Sequence, residues 1–325
     1  MNQNTNIYLA PFQGITGVVY RKIYARHFGG IDKYFTPFFT HPLHEKSPAV
    51  KAGKLDFVHH GHAVAVPQIL SKDAREILAF ARFCKEKGFG EVNWNMGCPF
   101  ARVANKKRGA GLLPYPGLVK NILKGFMPEI PVSFSVKCRL GYYDPAEILD
   151  LIPLFNQFGI SELIIHARIG KQLYKGGVLD DEFARALEIS TVPVVYNGDI
   201  FTVQDFQKAS FRFPEINAWM IGRGILIDPF LPEDIKGIAN TGNRKPVVRK
   251  FVDDLYYAYR KRMNDRLQAI NVMKELWGYL SQSFDDPLKT FNTIKKTKTF
   301  DDYEDAVNHI FKLFEWQGGK LGAGI

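Results

Sequence analysis

Short β-branched or aromatic runs ended by turn residues recur eight times before residue 225: NIYLAPF, KYFTPFF, HAVAVPQIL, EVNWNMG, PVSFSVKC, ELIIHAR, PVVYNGD and AWMIGRG. Between most of them the apolar positions fall at helical spacing, over 20–28, 74–87, 115–123, 145–158, 181–189 and 203–209. Ser71 and Asp73 before the helix at 74, Asp144-Pro145 before that at 145, and Thr202 before that at 203 supply N-cap or N1-proline signals. Residues 40–61 fit neither period and read as a long loop.

Strand and helix therefore alternate through eight units, and the strands are apolar on both faces. That pattern predicts an α/β fold, a closed parallel (β/α)8 TIM barrel rather than an open doubly wound sheet. No GxGxxG follows a strand and opens a helix, which weighs against a Rossmann arrangement. From about residue 240 the pattern changes to long amphipathic stretches at 245–262, 267–283 and 301–314, with no strand-like run between them. The expected organisation is a catalytic barrel over 1–240 and a small all-helical domain over 241–325.

The 325 residues are 46% hydrophobic, enough for a sizeable core. Three cysteines, Cys84, Cys98 and Cys138, match neither a disulfide framework nor a zinc-ligand spacing. With no signal-peptide pattern and no apolar run long enough to span a bilayer, the expectation is a cytoplasmic chain without a membrane anchor. The net charge of +10 is uneven: residues 244–300 carry thirteen Lys/Arg against six Asp/Glu, a net of +7. There YYAYRKRMNDR and TFNTIKKTKTF interleave aromatics with bases, as surfaces that contact a nucleic-acid backbone do.

In a β/α barrel, chemistry sits at the C-terminal ends of the strands. Gln13, Gln68, Asn95, Cys98, Lys137, Arg139, His166, Arg168, Asn197, Asp199 and Arg223 all fall there. Gly222-Arg223-Gly224 and Asn197-Gly198-Asp199 end the last two strands, where barrel enzymes hold a phosphate, and so imply a phosphorylated cofactor. Lys137, flanked by apolar residues, needs a negative or electron-rich partner such as a reduced flavin ring. Cys98, with Pro99 fixing the turn after it, is either a nucleophile or a proton donor; a Cys98/His166 pair is the form the first would take. Cys84 and Cys138 read as core. THPLH and HHGH lack the acidic partners of a metal site, and no metal is expected.

These residues carry a family resemblance. NMGCPFARVANKKRGAGLL is similar to the Asn-x-Gly-Cys-Pro block of the tRNA-dihydrouridine synthases, and APFQGITG, VKCRLG, HARIGKQLYKG, YNGDI and IGRGILIDPFL resemble five further blocks in the same order. The resemblance implies an FMN-dependent barrel enzyme that reduces uridine in tRNA to 5,6-dihydrouridine, with NADPH or NADH as reductant and no obligate protein partner. It implies that Pro11, Phe12, Gln13, Gln68, Lys137, His166, Asn197, Gly198, Asp199, Gly222 and Arg223 bind the flavin. Asn95, Arg139, Arg168 and Tyr174 would then meet the substrate, with Cys98 as proton donor. Phe12 stands where the family has Met, which matters little where the backbone makes the contact; Gly17 stands where it has Asp and Ile169-Gly170 where Thr-Arg is common, which leaves the local phosphate and substrate contacts open. The competing readings are a flavin barrel enzyme for a small molecule, of the dihydroorotate dehydrogenase or ene-reductase kind, dihydrouridine formation in ribosomal RNA, and an RNA-binding protein whose flavin chemistry has lapsed.

Overall fold

The computed structural model describes residues 5–41, 64–238 and 242–319. The loop expected at 40–61 and the boundary expected at 240/241 fall outside these residues, apart from Thr40, His41 and the flanks of the boundary. Nine strands lie parallel in one sheet: β1 (Asn6–Leu9), β2 (Lys33–Phe35), β3 (Val64–Val66), β4 (Gln68–Ile69), β5 (Glu91–Met96), β6 (Ser133–Gly141), β7 (Glu162–Ile169), β8 (Val194–Asn197) and β9 (Ala218–Ile221). Their order is β3-β2-β1-β9-β8-β7-β6-β5-β4.

The third apolar run, read from sequence as one strand, is two. Pro67 has no N–H to give a ladder, so the run breaks there, β3 pairing with β2 and β4 with β5. Thr36 N–H donates to the Val66 carbonyl at 3.0 Å and Asn93 N–H to the Pro67 carbonyl at 2.9 Å. The proline thus joins the two ends of the sheet, and the barrel closes through it with eight positions.

Each of the six expected barrel helices forms: α1 (Val18–His27), α2 (Ala74–Glu86), α4 (Pro116–Lys124), α5 (Glu147–Phe158), α6 (Asp180–Ile189) and α7 (Val203–Arg212). The short α3 (Ala101–Ala104), α8 (Arg223–Ile227) and α9 (Leu231–Lys236) add to them. Asp73 caps α2 through the Arg75 N–H at 2.9 Å, and Thr202 and Asp205 form a capping box on α7. Pro145 is not the first residue of its helix, which begins at Glu147. The Glu147 carboxylate accepts the N–H groups of Tyr142, Tyr143 and Asp144, and this folds the preceding residues into a turn.

The barrel interior is divided. Toward β1, β2, β3, β7, β8 and β9 it is filled by an apolar cluster that includes Tyr8, Ala10, Phe35, Val66, Ile164 and Met220. Toward β4, β5 and β6 it is polar, with Gln68, Asn93, Asn95 and Ser135 all buried. At the floor Lys33 reaches Glu91 at 2.9 Å and Glu162 at 3.1 Å, and the Tyr8 hydroxyl donates to Glu162 at 2.8 Å. Cys84 and Cys138 sit in the apolar shell between strands and helices, as their spacing predicts.

Beyond the barrel come α10 (Arg244–Arg262), α11 (Gln268–Leu280), α12 (Pro287–Lys295) and α13 (Phe300–Leu313). Helix α12 is not evident in the apolar spacing, because only Thr290 and Ile294 of its nine residues are buried. These helices share one core with the barrel. Phe251 on α10 packs edge-on against Tyr20, Tyr24 and Phe28 of the α1 region at 4.9–6.3 Å, and Tyr259 donates to the Ile15 carbonyl at 3.2 Å. Aromatics that interleave with bases in the sequence are partly this core: Tyr256 and Tyr259 are buried, while Lys261, Arg262 and Arg266 are exposed. Among the described residues no helix is long and apolar enough to cross a membrane.

Because Phe251 belongs to the seam, its truncation should weaken the whole molecule. Phe251→Ala is expected to lower the unfolding free energy by about 3–5 kcal/mol. Urea titration should still show one transition, with fluorescence and far-UV dichroism coinciding; separate transitions would mean the two parts are energetically independent.

Candidate active site

Strands β5 to β9 end at one rim of the barrel and deliver their last inward-facing side chains to one place. Arg139 on β6, His166 on β7 and Asn197 on β8 are neighbours in register, and Lys137 lies two residues before Arg139, paired with Ile164. Lys137 Nζ donates to Asn197 Oδ1 at 2.8 Å, and Asn197 Nδ2 donates to the Met220 carbonyl at 2.8 Å. Burial pushes the Lys137 ammonium down to about 8, with Arg139 adding to the effect. Burial, then Arg139, Lys137, Arg168 and Arg223, hold His166 well below the usual imidazole value, so it is neutral at pH 7.

Arg168 is 1% exposed and makes a two-pronged pair with Asp199 at 2.8 and 2.5 Å. Arg223 takes the same carboxylate at 2.7 Å. Asp199 thus serves two guanidinium groups, and Lys137 and Arg139 have carbonyl or amide oxygens as hydrogen-bond partners. The site carries surplus positive charge, the arrangement expected of a pocket for an anionic or electron-rich group.

Tyr174 roofs this cluster. Its ring lies 5.9 Å from the His166 ring, with the guanidinium groups of Arg139 and Arg223 at 5.4 and 4.9 Å. The preceding Leu173 has φ +55°, a backbone state costly for a residue with a side chain, and the Arg139 guanidinium holds its carbonyl at 2.7 Å. Gly170 accommodates the same turn, since a Cβ there would lie 2.2 Å from the Tyr142 ring. The departure Ile169-Gly170 therefore contributes a carbonyl to Arg139 and a close approach to Tyr142.

Cys98 follows β5, the strand next to β6, and is 7% exposed. Its N–H donates to Asn95 Oδ1 at 2.9 Å, and its carbonyl accepts from Ala110 N–H at 3.0 Å. Gly109, at φ +56°, lets the second strand of the loop approach, because a Cβ would fall 2.7 Å from the Cys98 carbonyl oxygen. Burial raises the Cys98 thiol above its usual value, although the Phe100 N–H, Arg102 and Arg139 oppose it. The thiol stays protonated at neutral pH, which suits a proton donor better than a nucleophile. The sequence also allowed a Cys98/His166 pair; the groups that perturb the thiol are Phe100, Arg102 and Arg139, and His166 bonds to Arg168 at 3.4 Å.

Pro11 and Phe12 lie at the end of β1, with Phe12 against the apolar half of the interior and edge-on to Tyr279 of α11 at 5.9 Å. A Cβ on Gly222 would come within 2.8 Å of the Phe12 ring, and one on Gly198 within 2.1 Å of the Tyr196 hydroxyl. Both glycines are therefore fixed by close approach. Gln13 is exposed on a cleft of about 450 Å3 that Arg21, Phe39, Arg262 and Met263 also line. Gly17 occupies the N-cap of α1 with no side chain to cap it, where an Asp would have bonded the first turn. Gln68 is fully buried and bonded to both Asn93 and Asn95, at 2.7 Å each. The reading of strand ends alone misses Asn93, Ser135 and Glu91, although the equal parity of Glu91, Asn93 and Asn95 in EVNWNMG signals a polar inner face.

A parallel barrel with a protonated thiol facing a cationic, ring-lined pocket at its strand ends defines a β/α-barrel enzyme built around an electron-rich or anionic ligand. The family model described as dihydrouridine synthase (Dus) matches residues 8–314. The tRNA-dihydrouridine(16) synthase of Neisseria meningitidis serogroup A is 28% identical over 96% of each chain. The tRNA-dihydrouridine synthase B of Pasteurella multocida is 34% identical over 69% of this chain and 67% of its own. Among solved structures, morphinone reductase shares the fold at a TM-score of 0.53 and 10% identity, covering 76% of this chain and 91% of that one. The old yellow enzyme homologue from Zymomonas mobilis does so at 0.52 and 10%, covering 73% and 90%. The chain belongs to the dihydrouridine synthase family.

Lys137 gives this geometry a measurable signature. Its folded value, about 8, lies below the ordinary 10.5, so the folded state holds that proton less tightly than the unfolded chain. The penalty is complete below pH 8 and is relieved as pH rises toward 10.5. Lys137→Met is therefore expected to raise the stability of the ligand-free protein at pH 7 by about 1–2 kcal/mol, after allowance for the lost Asn197 bond. The gain should shrink by pH 10, as urea titrations at the two pH values will show; equal gains would place the lysine in an unperturbed environment.

Proposed function

We propose that this protein reduces a uridine of tRNA to 5,6-dihydrouridine, using FMN bound at the strand ends. The observation that carries the reading is the buried, protonated Cys98 thiol at the rim that also gathers Lys137, Arg139 and His166. The donor set fits a flavin. Lys137 supplies a cation for the electron-rich edge of the ring, and Gln68 and neutral His166 supply polar contacts. Pro11, Phe12 and Gln13 line the ring. Asn197, Gly198, Asp199, Gly222 and Arg223 hold the ribityl chain and phosphate, with Asp199 acting through its pairing with Arg223. Bound there, reduced FMN supplies the hydride that C6 of the uracil takes up, with NADPH or NADH as the ultimate reductant.

The chain's own residues complete the reaction. Cys98 gives its Sγ proton to C5 and regains one from solvent, so that hydride and proton together saturate the 5,6 bond. Asn95 and Arg139 hold the base against the thiol, and Tyr174 offers a ring face for stacking. Arg168, buried and bonded to the Gly176 carbonyl, contributes by fixing Asp199, which in turn holds Arg223. A base within folded RNA has to leave its stack to reach this rim. The basic helical part, read as 241–325 beside a barrel of 1–240, grips the RNA: Arg262 at the C-terminal end of α10 lines the cleft that Gln13 also lines, and Lys261 and Arg266 are exposed nearby in the chain. Its shared core with the barrel makes charge reversal a better probe than truncation. Substrate and charge together favour the cytoplasm, with tRNA as partner and neither a membrane nor an obligate protein partner.

Cys98→Ala should lower uridine reduction by at least about 100-fold while FMN stays bound. Dihydrouridine mapped by nucleotide in tRNA from cells lacking the gene should disappear at one position, return with wild type and not with Cys98→Ala. The wild-type rate should be level through neutral pH and fall only as alkali ionises the thiol. Unchanged tRNA in the deletion strain, with no sister enzyme covering the site, would contradict the reading and direct attention to ribosomal RNA or a small molecule.

A further inference from the structure

The polar half of the barrel interior is one continuous hydrogen-bonded column. Ser135 Oγ donates to Glu91 Oε1 at 2.6 Å, and Asn93 Nδ2 donates to Ser135 Oγ at 2.9 Å. Gln68 Nε2 donates to Asn93 Oδ1 at 2.7 Å, and Asn95 Nδ2 donates to Gln68 Oε1 at 2.7 Å. The column ends where Asn95 Oδ1 accepts the N–H groups of Gly97 and Cys98 at 3.1 and 2.9 Å.

Its direction follows from its ends. The Glu91 carboxylate only accepts, and its second oxygen is held by Lys33. The backbone N–H groups of Gly97 and Cys98 only donate. Between such ends each amide has one orientation that leaves no donor facing a donor, and both ends demand the same one. Both lone pairs of Asn95 Oδ1 are consumed by the Cys98 loop, so a ligand that approaches Asn95 meets an N–H.

We propose that Glu91, at the barrel floor and away from the reacting atoms, is a positioning residue: it fixes Asn93, Gln68 and Asn95 in one orientation, which seats the Cys98 loop and makes Asn95 a donor to a carbonyl of the bound base. The second half rests on the proposed function; the seating of the loop does not.

The test reverses the polarity of the floor and then restores it. In Glu91→Gln, Lys33 claims the amide oxygen, the amide nitrogen faces Ser135, and the column has a donor at each end. One link must fail. Adding Asn93→Asp supplies a new acceptor that takes bonds from both Ser135 and Gln68, at the wild-type net charge, and the upper column regains its direction. Two readouts are taken on the FMN-loaded full-length protein: steady-state reduction of a tRNA transcript, and the rate at which iodoacetamide labels Cys98, mapped by mass spectrometry.

Glu91→Gln is expected to lower kcat about tenfold or more and to raise the labelling rate severalfold, as one misplaced buried donor warrants. The double variant should return both to within about threefold of wild type, a rescue that a merely structural role for Glu91 does not give. Wild-type values in Glu91→Gln, or a double variant no better than Glu91→Gln, would overturn the proposal. If the wild type reduces no uridine yet labelling follows the expected pattern, the proposed reaction fails and the seating of the loop by Glu91 stands.

Discussion

Positive charge held out of water is the constraint around which the rest of this molecule is arranged. Lys137, Arg139, Arg168 and Arg223 meet neutral His166 at the ends of adjoining strands, and Asp199 answers two of the arginines at once. Burial opposes every one of these charges that it perturbs, bringing Lys137 to about 8 and Arg139 to about 10. Nothing in folding favours such a cluster for its own sake. It is tolerable because carbonyl and amide oxygens, together with Asp199, surround the charges.

The two halves of the barrel interior divide the work of supporting that cluster. The apolar half fills space beneath the Phe12 side of the rim, while the hydrogen-bonded half runs from the floor to the cysteine loop and satisfies its polar groups internally. The helices that follow the barrel are not an appendage. Through Phe251 and Tyr259 they continue its core, and they bring Arg262 to the cleft that Gln13 also lines.

Much of this was legible in the sequence, for identifiable reasons. Parallel strands buried on both faces leave continuous apolar runs, and the helices between them carry capping signals such as Asp73 and Thr202. The strand-end residues were legible because a barrel concentrates chemistry there. What escaped was set by three-dimensional neighbours. A proline within an apolar run reads as part of a strand until the pairing shows Pro67 linking the two sheet ends. Helix α12 hides because only two of its residues face the core, and Pro145 misleads because Glu147 captures the N–H groups before it. Asn93 and Ser135 look like ordinary polar residues in strands, and only the register reveals the column they form. The aromatics among the bases of α10 suggested a surface, whereas Tyr256 and Tyr259 are core.

The deciding question is whether RNA takes up electrons from a flavin bound at this rim. The most direct measurement is an anaerobic single turnover: FMN-loaded protein is reduced with one equivalent of NADPH, mixed with an unmodified tRNA transcript, and followed by flavin absorbance and by nucleoside mass spectrometry. The flavin should be reoxidised, and one dihydrouridine should appear per flavin, at one position. A flavin that stays reduced in the presence of tRNA but is reoxidised by a small enone would contradict it.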